Sequence, residues 1–224
     1  MTHFSDGVRV GGNFANNGTA SLPGTATSPI YVYNVTPVAM ATNNISTAQA
    51  VAAAGNLTIT GTLATAGVAT LDCSRNVRIT SSSASDTTQT ATIYGTDVYG
   101  ISMTERITFG GAATVSGLKA FKTVTRVAIS AALVGNASVG TGDVFGLPYV
   151  ATTRNSVLTA WAGAFVTTGT FVVADTTSPA TATTGSTRGT YAVPTASDGS
   201  KLLSLWIFIA DPDSQTGLYG VTQA

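Results

Sequence analysis

Between Ala91 and Gly142 the chain repeats one pattern: side chains of alternating character, interrupted at short intervals by glycine, aspartate and threonine. Ile101, Met103, Ile107 and Phe109 fall on one face of an extended segment, and Ser102, Thr104, Arg106 and Thr108 fall on the other. A period of two is the mark of a half-buried β-strand. Ala91 to Tyr94 leads into this segment through Gly95-Thr96-Asp97-Val98-Tyr99-Gly100, whose glycines and aspartate suit a tight hairpin between antiparallel neighbours. Leu118 to Ser130 then places Phe121, Thr123, Thr125, Val127 and Ile129 on one side and Ala120, Lys122, Val124, Arg126 and Ala128 on the other. Neither side is strongly polar, so this strand is expected inside a sandwich or against a neighbouring subunit.

Strands of this kind need charge on their outer surface to stay apart in water, and here composition enters. Only 9% of the 224 residues are charged, ten of each sign with a net charge of zero, against about 25% in ordinary soluble domains. Little resists self-association in such a chain, and a subunit that spends its existence against other protein is expected. The ten cations are scattered and form no basic stripe, so a nucleic-acid partner is not expected. The longest apolar stretch, Leu202 to Ala210, is about nine residues long and broken by Ser204, well short of the roughly 20 that a membrane helix needs. Met1 to Gly7 shows no basic head followed by an apolar core, which leads to the expectation of a soluble product made in a cytoplasm.

Met1 to Pro29 holds one short strand candidate, Val8-Arg9-Val10, among Asn, Gly, Thr, Ser and Pro, with almost nothing to bury. Residues 1–37 read as an extended amino-terminal arm that is ordered by a partner subunit. Phe4, Val8, Arg9, Val10, Phe14, Tyr31 and Tyr33 are its candidate partner-binding residues, and residues 1 to 35 are expected to bury most of their contact area on another chain. Ile30 to Val35 is β-branched, aromatic and stopped by Pro37, hence a strand. Ser46 to Ala54 fits a short capped helix or an extended connector.

Residues 38–224 form the second unit, with a core in 56–149 completed by strands within 157–210. Leu57 to Thr60, Val68 to Asp72, Val77 to Thr80, the central group and Ala137 to Gly140 follow one another at the spacing of an all-β sandwich. Ser81 to Asp86 reads as a polar surface loop. Val157 to Phe165 has apolar residues at helical spacing, yet Gly163 and its threonines favour a strand. Lys201 to Ala210 sets Leu203, Leu205, Ile207 and Ile209 opposite Leu202, Trp206 and Phe208. A strand apolar on both sides must be covered on both sides. The fold expected is all-β, an antiparallel sandwich or jelly-roll-like domain with an extended arm.

Catalytic chemistry has little to work with. The single histidine, His3, lies in the arm, so no Ser-His-Asp arrangement is expected, and one His with one Cys cannot assemble a zinc site. Cys73 sits in an apolar-alternating stretch and reads as a buried small hydrophobe. Asp211 and Asp213 could serve calcium, but further oxygen ligands in series are missing and turn residues are the simpler reading. Glu105 shares a side with Met103 and Ile107 and calls for a cation, with Lys122, Arg126 or a neighbouring subunit as candidates. No catalytic, cofactor or metal residue and no small-molecule substrate is expected.

Several of these stretches resemble virion structural proteins of tailed bacteriophages: Arg75 to Thr80, Gly95 to Gly100, Thr104 to Ile107, Lys119 to Thr125 and Gly142 to Pro148, with looser likeness in Ala180 to Thr190 and Leu218 to Val221. Among such proteins the chain most resembles a capsid decoration, or cement, protein. The resemblance implies a place on the capsid surface of the virion, with the major capsid protein as partner. It further implies a homotrimer or other homo-oligomer that stabilises the shell by bridging its subunits. A tail, fibre or head-tail junction component is the alternative.

Overall fold

The computed structural model describes residues 30–174 and 186–208. Within them the strands are β1 (Ile30–Val35), β2 (Ala41–Ala50), β3 (Gly55–Leu57), β4 (Ala64–Thr65), β5 (Val68–Ser81), β6 (Thr90–Thr96), β7 (Ser102–Thr108), β8 (Val115–Ile129), β9 (Asn136–Gly146), β10 (Val157–Trp161), β11 (Ala164–Phe165), β12 (Thr170–Val172), β13 (Thr190–Ala192) and β14 (Leu203–Phe208). One 3-10 turn, Arg154–Ser156, is the only helical element among the described residues. Every pairing is antiparallel. The all-β sandwich expected from the alternation is what the chain forms.

A ten-stranded sheet runs β12-β13-β9-β5-β8-β6-β7, with β2 on β9, β3 on β8 and β4 on β5. It curls around a first core that includes Ile45, Leu71, Val77, Ile79, Ile93, Met103, Phe121, Val127 and Val139. A four-stranded sheet, β1-β14-β10-β11, lies over a second core made by Leu203, Leu205, Ile207, Val157 and Trp161 together with Phe145, Leu147 and Tyr191 of the large sheet.

Local sequence and fold part company in a few places. The alanine-rich run after Ser46 is extended: β2 lies along β9, Ile45 is fully buried, and Gln49 exchanges side-chain bonds with the Thr58 N–H and C=O, 2.9 Å each. A helix too short to stand alone yields to that sheet. Val157 to Phe165 is a hairpin, β10 to β11, turning through Ala162 (φ 53) and Gly163 (φ 84). Two positive φ values in succession are what a type I′ turn requires.

Val68 to Asp72 and Val77 to Thr80 are one continuous strand, β5. In β8, Phe121, Val124, Val127 and Ile129 are all buried, although strict alternation puts Val124 opposite the others. The register against β6 jumps from Tyr94↔Arg126 to Gly95↔Val124, a bulge at Thr125, and that against β5 jumps from Thr70↔Thr123 to Arg75↔Phe121, so the ladder is irregular on both sides of Val124. Asp86, expected on a surface loop, is buried. It accepts hydrogen bonds from the Ser81 hydroxyl (2.5 Å) and the amides of Val134 (2.9 Å) and Gly135 (3.0 Å), which hold its carboxyl below the usual range, the serine bond foremost.

Beyond its ladder with β5, the first half of β8 is satisfied by side chains. Glu105 on β7 accepts from the amides of Leu118 (2.5 Å) and Lys119 (3.3 Å), and Lys119 Nζ donates to Thr104 O (3.0 Å). Gly117 leaves room for this carboxylate, since a Cβ would stand 2.3 Å from Glu105 Oε2. The cation sought for Glu105 in Lys122 or Arg126 is elsewhere: Lys122 Nζ donates to Leu71 O and Asp72 O, and Arg126 stacks 3.6 Å over the Tyr94 ring. Burial raises the Glu105 carboxyl, and its two backbone bonds only partly offset this.

Candidate interaction surface

Two buried polar nodes fix how the sheets are joined. Arg75, with no exposed surface, lies within β5. It donates to Gly142 O (2.6 Å), Val38 O (2.9 Å), Asp143 Oδ1 (2.6 Å) and Asp72 Oδ1 (3.3 Å). Ser197 Oγ lies 2.9 Å from the same Val38 carbonyl and 2.6 Å from Asp143 Oδ1. Val38 follows β1 and Ser197 precedes β14, so Arg75 clamps both approaches to the small sheet. Arg188 pairs with Asp97 (2.8 Å), both almost fully buried, and Asp97 also accepts from the amides of Tyr99 and Ile101. Tyr99 then donates to Pro148 O (2.5 Å).

These nodes use their charges for bonding within the chain. Asp72 and Asp143 both face the Arg75 guanidinium. Among the described residues no group of three His, Cys, Asp or Glu could hold a metal. Burial pushes the Cys73 thiol up to about 12, which leaves it protonated and unreactive at neutral pH. His3, Asp211 and Asp213 lie outside the described residues.

Among the described residues, exposed apolar side chains gather on the outer face of the four-stranded sheet. β14 pairs with β1 in the register Ile30↔Phe208, Val32↔Trp206, Asn34↔Ser204, and with β10 in the register Leu158↔Trp206, Ala160↔Ser204. Residues directly opposite share a face. Since Leu203, Leu205 and Ile207 point into the second core, the other face carries Ile30, Val32, Leu158, Trp206 and Phe208. Phe165, opposite Ala160 on β11, joins them with its ring 5.5 Å from that of Trp206. Phe165 is 69% exposed, Leu158 44% and Phe208 40%. No strand residue on this face is charged; Asn34 and Ser204 are its polar members.

No family model, no curated protein and no solved structure matches this chain. What the surface does must follow from its chemistry. A continuous apolar patch on one sheet face is the kind of surface that contacts other protein.

Of the partner-binding candidates read from the sequence, Phe4, Val8, Arg9, Val10 and Phe14 lie outside the described residues. Tyr31 and Tyr33 are on β1, paired with Ile207 and Leu205, and they pack against the chain's own second core, Tyr31 with its ring 4.2 Å from Tyr149. Burial raises the Tyr33 hydroxyl far above its ordinary value. The outward residues of β1 are Ile30 and Val32. Sequence reasoning misses Leu158 and Phe165 for want of a register, yet the two-sided apolarity of the last strand is the signal that could find them. One side of β14 is covered by the second core; on the other, Phe208 is exposed, Trp206 is partly buried and Ser204 is buried.

Proposed function

We propose that this chain is a structural subunit of a virus particle, a decoration or cement protein that binds the outer capsid shell and bridges capsid subunits. One observation carries the reading: the outer face of the four-stranded sheet is aromatic and aliphatic with no charge among its strand residues, a surface made to lie against protein. The resemblance of the central stretches to tailed-phage virion proteins supplies the kind of assembly, and the major capsid protein is the partner it implies. The low charge and the inward use of nearly every described carboxylate fit a subunit that binds and does not turn over a substrate.

The test uses purified particles from a culture that expresses the gene. The chain should be recovered with the heads, be released by a mild chaotrope, and leave shells that yield at lower force under nanoindentation. Recovery with separated tails would place it in a tail or fibre instead, and its absence from particles would end the reading.

A further inference from the structure

We infer that the outer face of the four-stranded sheet packs against the same face of a second copy of this chain. This rests on the reading of the chain as an assembly subunit and names which neighbour the face takes.

Complementarity is the first argument. The face offers Ile30, Val32, Leu158, Phe165, Trp206 and Phe208, with Asn34 and Ser204 confined to one rung. An ordinary protein surface would bring charged and polar groups against it and leave them desolvated without partners. The face itself brings none, and two copies meet without like-charge repulsion.

Size is the second. Nine outward positions, three on β1, three on β14, two on β10 and one on β11, at about 4.8 Å by 6.8 Å each, span roughly 300 Å². A standard complex buries about 800 Å² per partner, of which about 57% is apolar. The face supplies roughly half of the apolar part of such an interface, and the residues around it supply the rest.

Geometry is the third. Trp206 stands at the centre, with Val32 beside it on β1, Leu158 beside it on β10, Phe208 next along its own side of β14, and Phe165 against its ring. A central tryptophan ringed by smaller apolar groups is the usual anchor of a protein contact, and two sheets stack face to face at about −30°. Finally, this face is complete as soon as β1 closes on β14, before any shell is present. A second copy is the partner made at the same time and place.

The experiment is sedimentation equilibrium of the full chain between about 1 and about 100 µM, the range in which a contact of this size dissociates. The unmodified chain should be a dimer or a higher oligomer built of dimers, with tryptophan emission, to which buried Trp161 adds a constant part, shifting to the blue as concentration rises. The double variant Leu158→Glu/Phe165→Glu sets carboxylates against their symmetry mates and should raise the dissociation constant at least about 100-fold, with a Tm that no longer rises with protein concentration as that of the parent does. Thr92→Glu, on the outer face of the large sheet, should leave the oligomer intact. A monomer throughout the range, or an oligomer that the double variant preserves, overturns the inference. If that variant fails to fold, the emission of the unmodified chain decides the matter: a blue shift with concentration supports the pairing, and a constant emission overturns it. A dimer absent from purified particles would instead remove the particle reading and leave the pairing standing.

Discussion

The large sheet and the small one are written in the same two-residue period, yet they turn opposite kinds of side chain outward. β7 and β6 show Ser102, Thr104, Arg106 and Thr108 beside Thr92, Tyr94 and Thr96. The small sheet shows Ile30, Val32, Leu158, Phe165, Trp206 and Phe208. Hydroxyls let the first face end in water, whereas the second has apolar groups on both sides and only one core beneath it. Alternation alone thus identifies a strand, and the outward half of the alternation identifies what that strand expects to meet.

Substitutions that separate the two regions test this contrast, and the largest effect is expected where they are joined. Arg75→Met removes the cation between Asp72 and Asp143 and leaves the carbonyls of Val38 and Gly142 without this donor. A loss of about 3–5 kcal/mol in urea unfolding is expected, and a variant as stable as the parent would show that the clamp does not couple the sheets. Next comes Gly117→Ala, which sets a Cβ 2.3 Å from Glu105 Oε2 and 2.9 Å from the Ile107 side chain. Such crowding costs about 1–3 kcal/mol, and a thermal melt with unchanged Tm would mean that the Glu105 contact gives way freely.

Glu105→Gln sharpens the same point through pH. Because burial raises the Glu105 carboxyl, its contribution is fully present below the ordinary carboxylate range and is lost as pH rises through the raised value. Wild-type stability should carry a downward step above that range, and Glu105→Gln should lack it and melt a few degrees higher at neutral pH. Asp86, held low, acts in the other direction: its contribution is lost as pH falls below the ordinary range. The two windows do not overlap, so a melting series across pH distinguishes them. The smallest effect belongs to the open face, where Leu158→Ser should change monomer stability by no more than about 0.5 kcal/mol. A larger loss would mean that this face is already packed within one chain.

Much of this was legible in the residues. The hairpin from β6 to β7, the strand at Val157 and the two-sided apolarity of β14 all follow from spacing and turn chemistry. What was not legible depends on pairing between distant strands. The ladder of β8 is irregular on both sides of Val124, and nothing in the local sequence announces it. Arg75 reads as a surface charge until β9 and the segments at Val38 and Ser197 surround it. Tyr31 and Tyr33 look like the contact residues of β1, but the register with β14 turns them inward and Ile30 and Val32 outward. The open face could be named as a property of one strand and located only once four strands were in place.

The contact from the Ser197 hydroxyl to the Val38 carbonyl joins residues 159 apart in the chain, and β1 has no place in a sheet until β14 exists. On a ribosome that emits its product from the amino end, this pair can close only after Ser197 has emerged, long after Val38. The sticky patch is therefore absent until β14 has been made, which shortens the interval in which a nascent strand could be captured by the wrong neighbour.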